Sequence, residues 1–195
     1  MARVFITGSS TGLGLMASQL LIEQGHRVVL HGRNQARADE AMASAPGAES
    51  AVVGDLLHIR DMKSVADQVN RLGRFDAVIH NAGVGYRESQ RLETEDGLPH
   101  IFAVNVLAPY VLTALIERPD RLVYLSSGMH HGAEATFDDL LWTKRRWQGA
   151  QQIRSHSRRI VGRHSGRRRH AGNGAWQIRQ TALGQAVWAG DQTGG

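Results

Sequence analysis

The chain has 195 residues, enough for one domain with its own core but too few for a second full domain. It has no cysteine, which excludes disulfides, thiolate nucleophiles and cysteine metal sites and fits a reducing, cytoplasmic setting. The formal charge of +5 is unevenly spread: residues 151–195 hold eight Arg against one acid, Asp191, while residues 1–150 hold 15 Lys and Arg against 17 acids.

The N-terminus runs directly into an apolar triplet and a turn, without the charged-then-apolar pattern of a secretion leader. The most apolar stretch, residues 104–116, contains Asn105, Pro109 and Tyr110 and falls short of the ~20 residues needed to cross a bilayer. No membrane partner and no metal site are expected.

Residues 2–6 form a short apolar run that predicts a first strand, ending in the turn Thr7-Gly8-Ser9-Ser10-Thr11-Gly12-Leu13-Gly14. Residues 13–24 have the composition of a helix closed by Gly25. A second strand follows over 27–31. Asn34 then caps a helix over 35–44, which the Pro46-Gly47 break ends. Residues 50–53 predict a third strand leading to Gly54-Asp55.

Ile59, Met62, Val65, Ala66, Val69 and Leu72 recur at spacings of three and four, one face of a helix over 59–72. Residues 76–80 predict a fourth strand, 98–117 a long helix with Pro109 inside it, and 121–125 a fifth strand leading to Ser126-Ser127-Gly128. Short apolar strands that do not alternate, each followed by a helix, imply a parallel sheet covered on both faces. The expected fold is doubly wound α/β of the Rossmann type over residues 1–150.

Beyond Gly149 the chain is dominated by Arg, His, Gln and Gly, includes Arg167-Arg168-Arg169-His170, and keeps no period of two or 3.6. The next helix and a sixth and seventh strand cannot be placed there. The sheet is therefore expected to be incomplete at its C-terminal end, with 151–195 an irregular Arg-rich tail.

The first turn carries the clearest chemistry. A helix N-terminus accepts an anionic pyrophosphate through free backbone N–H groups and its dipole, provided the chain comes close. Gly8, Gly12 and Gly14 lack a Cβ, which permits a tight turn, a near approach of backbone to phosphate and close packing of helix on strand. Ser10, Thr11 and Leu13 complete this loop. No Gly-Lys-Ser/Thr follows, so a kinase-type phosphate loop is not expected.

At the end of the second strand an acid would suit the ribose of NAD, whereas an arginine suits the 2′-phosphate of NADP. This chain has His31-Gly32-Arg33-Asn34, so Arg33, with Asn34 beside it, favours NADP over NAD. A solvated surface arginine is the alternative reading.

Together these residues resemble the short-chain dehydrogenase/reductase family, whose form of the loop is Thr-Gly-x-x-x-Gly-x-Gly. Asp55, with Leu56 next to it, resembles the aspartate that contacts the adenine ring. Asn81-Ala82-Gly83 resembles the motif that supports the sheet and lines the cofactor site. Asn105 and Ser127 resemble the asparagine and serine of the catalytic tetrad.

Leu125-Ser126-Ser127-Gly128-Met129-His130, with Asp138-Asp139-Leu140 and Trp142, is most similar to the branch of the retinol dehydrogenases and light-dependent reductases. Each of these residues also has a plain structural reading. Asn81 fits a turn residue, Asn105 a helix residue bonded to backbone, and Ser127 a strand-end serine; His130 and His131 read as loop histidines.

The resemblance implies an NADP-dependent oxidoreductase acting on a carbonyl or alcohol. It also implies a Tyr-x-x-x-Lys pair in or just beyond residues 140–160 that moves the proton. The only tyrosines are Tyr86, Tyr110 and Tyr124 and the only lysines Lys63 and Lys144, so that pair is missing and activity is expected to be impaired.

Three accounts fit the tail. A reading frame lost near Gly149 matches the abrupt change of charge and periodicity. A non-catalytic dinucleotide-binding protein, regulatory or scaffolding, would need no proton relay. A basic arm for nucleic acid would neutralise phosphates, but charge alone supports it, Trp147 and Trp176 being too sparse to form a stacking platform.

Overall fold

A computed structural model describes residues 1–85, 88–127, 139–144 and 146–148, together with 177–180 and 185–191; for Ser127 and the last two stretches it describes the backbone alone. The elements alternate as expected: β1 (Arg3–Ile6), α1 (Gly12–Glu23), β2 (Arg27–Gly32), α2 (Gln35–Ser44), β3 (Ser50–Val53), α3 (Ile59–Arg71) and β4 (Ala77–His80). Three helical pieces follow, α4 (His100–Phe102), a π turn (Ala103–Leu107) and α5 (Ala108–Leu115), and then β5 (Arg121–Ser127).

The strand order is β3-β2-β1-β4-β5, and every neighbouring pair is parallel. The order reverses between β1 and β4. In an open parallel sheet that reversal opens a crevice at the carboxyl ends of the strands, where ligands bind.

Two apolar layers hold the sheet. On one face Phe5, Val29, Val52 and Val78 pack with Met62, Val65 and Val69 of α3 and Leu112 of α5. On the other, Val4, Ile6, Val28 and Leu30 pack with Ala41 of α2 and the partly buried Leu15 and Leu21 of α1. Phe5, Phe75, Met62 and Leu112 are fully buried, each contributing roughly 1.5–3 kcal/mol of apolar transfer.

Two features depart from the sequence reading. The tail supplies β6 (Gln177–Gln180) and β7 (Gln185–Asp191), which add antiparallel to β5 in the order β5-β7-β6. Hydrogen-bonding groups along the outer edge of β5 template such pairing, and Ala-Val-Trp-Ala within β7 is too short a run to signal a strand by periodicity.

The helix expected over 98–117 starts at His100, after Pro99 takes the N-cap position and pairs in an isolated bridge with Glu93. It ends at Leu115, where Ile116 turns extended and buries its side chain in the core cluster. Its middle is a π turn because Pro109 has no N–H to return to the carbonyl of Asn105, so the ladder widens just where Asn105 sits.

Candidate functional site

The loop after β1 is shaped by steric necessity. Gly8 has φ +63°, and a Cβ on it would lie 2.9 Å from the Cα of Ala82. A Cβ on Gly14 would lie 2.4 Å from both the Asn81 amide nitrogen and the Gly8 carbonyl. Gly12 is the opposite case: at φ +57° its missing Cβ would meet nothing within 4 Å.

There α1 begins, with Thr11 at the N-cap making no side-chain capping bond and no acid in the first turn. The positive end of this 12-residue helix is thus not neutralised by a capping side chain or an acid in its first turn, and Thr11, Leu13 and Gly14 there line a cleft. This cradle fits the pyrophosphate of a dinucleotide.

Side chains from other strands fix the loop. Asn81 donates from its amide nitrogen to the carbonyls of Thr7 at 2.9 Å and Gly8 at 3.0 Å. The Thr7 hydroxyl accepts from the backbone of Asn81 at 3.0 Å and of Ala82 at 3.1 Å. From the other side His31, at the end of β2, accepts from Gly8 N–H at its Nδ1 at 3.0 Å, and its Nε2 meets the Gly54 carbonyl at 2.9 Å. Burial lowers the His31 pKa below its ordinary 6.5, against the opposing pull of the Gly54 carbonyl and Asp55.

A cleft of about 400 Å³ opens from this loop. Gly8, Ser10, Thr11, Leu13 and Gly14 line it, as do Arg33, Asp55, Leu56, Asn81, Ala82, Gly83 and Asn105. Residues far apart in sequence thus meet on one surface. Arg33 is exposed at the rim, and no carboxylate bonds it among the described residues. Asp55 accepts from Leu57 N–H at 3.1 Å and is turned into the cleft by that tight bend.

Gly12 and Asn34 are not among the lining residues. Gly12 sits at the helix start, and Asn34 caps α2 by accepting from Arg37 N–H at 3.0 Å. Asn105 uses both ends of its side chain on Val84, accepting from its N–H at 2.9 Å and donating to its carbonyl at 3.0 Å. The helix-residue and turn-residue readings of Asn105 and Asn81 therefore describe their bonds, while both still line the cleft. The Ser127 side chain, Tyr86, residues 128–138 with His130 and His131, and 149–176 lie outside the described residues.

The sequence reading missed several lining residues, including His31, His80, His100, Tyr124 and Ser126. His80 and Tyr124 are register partners on β4 and β5, with rings stacked 4.8 Å apart. Both reach the Thr113 hydroxyl, at 3.0 and 2.7 Å. Burial pushes the His80 pKa down to about 3, and its Nδ1 has no hydrogen-bond partner among the described residues. The only sequence signal was a histidine ending a buried strand, which the apolar residues before it masked.

The family model for short chain dehydrogenase matches residues 2–120. An uncharacterized oxidoreductase of Emericella nidulans, AN7799, is 49% identical over 142 residues, 72% of this chain and 56% of that protein. Human retinol dehydrogenase 14 is 32% identical over 162 residues, 70% of this chain and 48% of its own length. The chain spans about half the length of these curated relatives. The solved short-chain dehydrogenase from Sphingobium yanoikuyae in complex with NADPH shares the fold at TM-score 0.62 and 20% identity, covering 85% of this chain and 64% of that one.

Proposed function

Because the chain belongs to the short-chain dehydrogenase family, we propose that its cleft binds NADP(H) in preference to NAD(H) and serves oxidoreduction of a small carbonyl or alcohol compound. The observation that carries this reading is the uncapped N-terminus of α1, whose Thr11, Leu13 and Gly14 line a cleft that Arg33 and Asp55 also line. The NADPH in the Sphingobium enzyme supports the choice of dinucleotide. The name of the retinol dehydrogenase supports an alcohol or carbonyl substrate.

The loop N–H groups would hold the pyrophosphate, Arg33 the 2′-phosphate, and Asp55 the adenine side. A dinucleotide held there would supply or take up the hydride. Ser127 would hydrogen-bond the reacting oxygen. Asn105 contributes by holding the 84 turn against the π turn, both ends of its side chain being bonded to Val84.

Proton transfer is the weak step. No Tyr-x-x-x-Lys occurs in the sequence, and the Tyr124 hydroxyl, in the cleft wall, is bonded to Thr113. General acid–base catalysis is worth ~10² to 10⁴-fold, so turnover should fall by about that factor. The same absence favours a second reading, a dinucleotide-binding protein without catalysis.

Fluorescence titration of the full chain and Arg33→Ser with NADPH and NADH tests the assignment. A charge-assisted bond at an exposed rim should give NADPH an advantage of about tenfold, lost in the variant. Equal affinities in the parent chain would overturn the NADP choice, and absence of binding by either would overturn the site.

A further inference from the structure

We infer that His31 is a positioning residue for the dinucleotide: its neutral imidazole ties the phosphate loop to the turn after β3, so cofactor affinity depends on whether the ring carries a second proton. This rests on the dinucleotide reading of the cleft. Nothing in the loop's glycine pattern requires a histidine on the neighbouring strand.

The hydrogen bonds fix the tautomer. Nδ1 accepts from Gly8 N–H at 3.0 Å, so it carries no proton, and the ring's single proton sits on Nε2, donated to the Gly54 carbonyl at 2.9 Å. The backbone of the same residue is anchored too. His31 N–H donates to the Ser9 hydroxyl at 2.8 Å, that hydroxyl donates to the Ile6 carbonyl at 2.9 Å, and Ser9 N–H donates to the His31 carbonyl at 3.3 Å.

Gly8 has no slack on its other side, where Ala82 packs against its Cα and Asn81 holds its carbonyl. The loop is clamped between β2 and β4.

A second proton on Nδ1 would aim an N–H at the Gly8 N–H. Two donors cannot share that contact, so either the ring or the loop must move. The groups facing the ring are few. β1 and its loop give Phe5, edge-on at 6.5 Å, with Gly8 and Ser9, none of which titrates.

The β3 turn gives Asp55, which favours the second proton, and Asp61 of α3 accepts from the Asp55 backbone. Arg33 at the end of β2 lines the same cleft, with His80 and His100 on its β4 and α4 walls. Burial opposes the proton and outweighs Asp55. A dinucleotide that needs the loop in place therefore binds the neutral ring and, by reciprocity, must move the His31 titration to lower pH.

The test uses the full chain, His31→Leu and His31→Gln, with NADPH affinity read by fluorescence from pH 7.5 to 5.5 and unfolding midpoints measured in parallel. Leucine removes both bonds and should weaken NADPH about tenfold at pH 7.5. Glutamine can accept from Gly8 and donate to Gly54, so it should stay within about threefold of the parent. As pH falls the parent should lose affinity more steeply than the glutamine variant, titration of the 2′-phosphate being common to both.

The His31 ring resonance, assigned by its loss in either variant, should titrate at lower pH once NADPH is saturating. Equal affinities and parallel pH profiles in all three proteins would overturn the role of His31 alone. Failure of the parent to bind NADPH would overturn the dinucleotide reading and this inference with it. If the leucine variant does not fold, the glutamine pH profile and the ring titration decide.

Discussion

Replacing Gly14 and Gly12 separately by alanine should split folding from binding within one loop. At Gly14 the new methyl would sit 2.4 Å from the Asn81 amide nitrogen and from the Gly8 carbonyl, and 3.0 Å from the Ser9 Cα. Two of those contacts are backbone and cannot swing away. Overpacking of this kind costs ~1–3 kcal/mol. Displacing Asn81 also loosens its bonds to the Thr7 and Gly8 carbonyls, about 1 kcal/mol each.

The helix propensity gained by alanine returns roughly 1 kcal/mol. The net loss is ~2–4 kcal/mol, or about 4–15 °C in Tm for a chain of this size. At Gly12 the methyl meets no atom within 4 Å, so the cost is the left-handed backbone alone, ~1–2 kcal/mol.

That methyl, however, would sit on the first residue of α1, between the cleft-lining Thr11 and Leu13, where it would crowd a phosphate drawn to the helix start. Thermal unfolding by circular dichroism, paired with NADPH fluorescence titration, should find Gly14→Ala markedly destabilised. Gly12→Ala should lose about half as much stability as Gly14→Ala, ~1–2 against ~2–4 kcal/mol, and bind NADPH at least tenfold more weakly. A Gly14→Ala chain that melts with the parent, or a Gly12→Ala chain that binds like it, would refute the steric reasoning.

Further outcomes follow from other parts of the site. Asn105→Ala removes two hydrogen bonds to Val84, about 1 kcal/mol each, and should lower Tm by about 4–8 °C by calorimetry while weakening NADPH binding. His80 is buried neutral, its pKa lowered from 6.5 to about 3, so its contribution to stability is full above pH 6.5 and is lost as pH falls through the interval down to 3.

At most this amounts to about 4–5 kcal/mol. His31 acts in the same direction. Denaturant unfolding from pH 7 to 4 should show the parent losing stability faster than His80→Phe; identical slopes would contradict the assignment. NADPH oxidation with a panel of small aldehydes and ketones should run ~10² to 10⁴-fold below ordinary turnover. Turnover of 1–10³ s⁻¹ would mean that another group moves the proton.

The sheet was legible because buried parallel strands and amphipathic helices leave short-range marks. The run Ile59, Met62, Val65, Ala66, Val69 gives α3, and Asn34 marks the start of α2, where the structure shows its cap. The glycine loop was legible for the same reason, since Gly8 and Gly14 are demanded by contacts that no larger residue survives.

What escaped depends on partners distant in sequence. His31 reads as one more residue of a buried strand until Gly8, 23 positions earlier, and Gly54 are folded onto it. His80 acquires its role only from Thr113 and Tyr124.

Pro109 was visible inside the predicted helix. Its effect, a π turn centred on Asn105 rather than a break, follows from packing on both sides of the missing bond. The strands of the tail pair with an existing edge rather than announcing themselves by pattern.

The central claim, that a dinucleotide lies across the N-terminus of α1 between Arg33 and Asn105, is tested most directly by following backbone amide resonances of the full chain during an NADPH titration. Saturable shifts should concentrate at Gly8, Gly12, Gly14, Arg33, Asp55 and Gly83. Shifts that do not saturate, or that spare the loop and gather elsewhere, would contradict it.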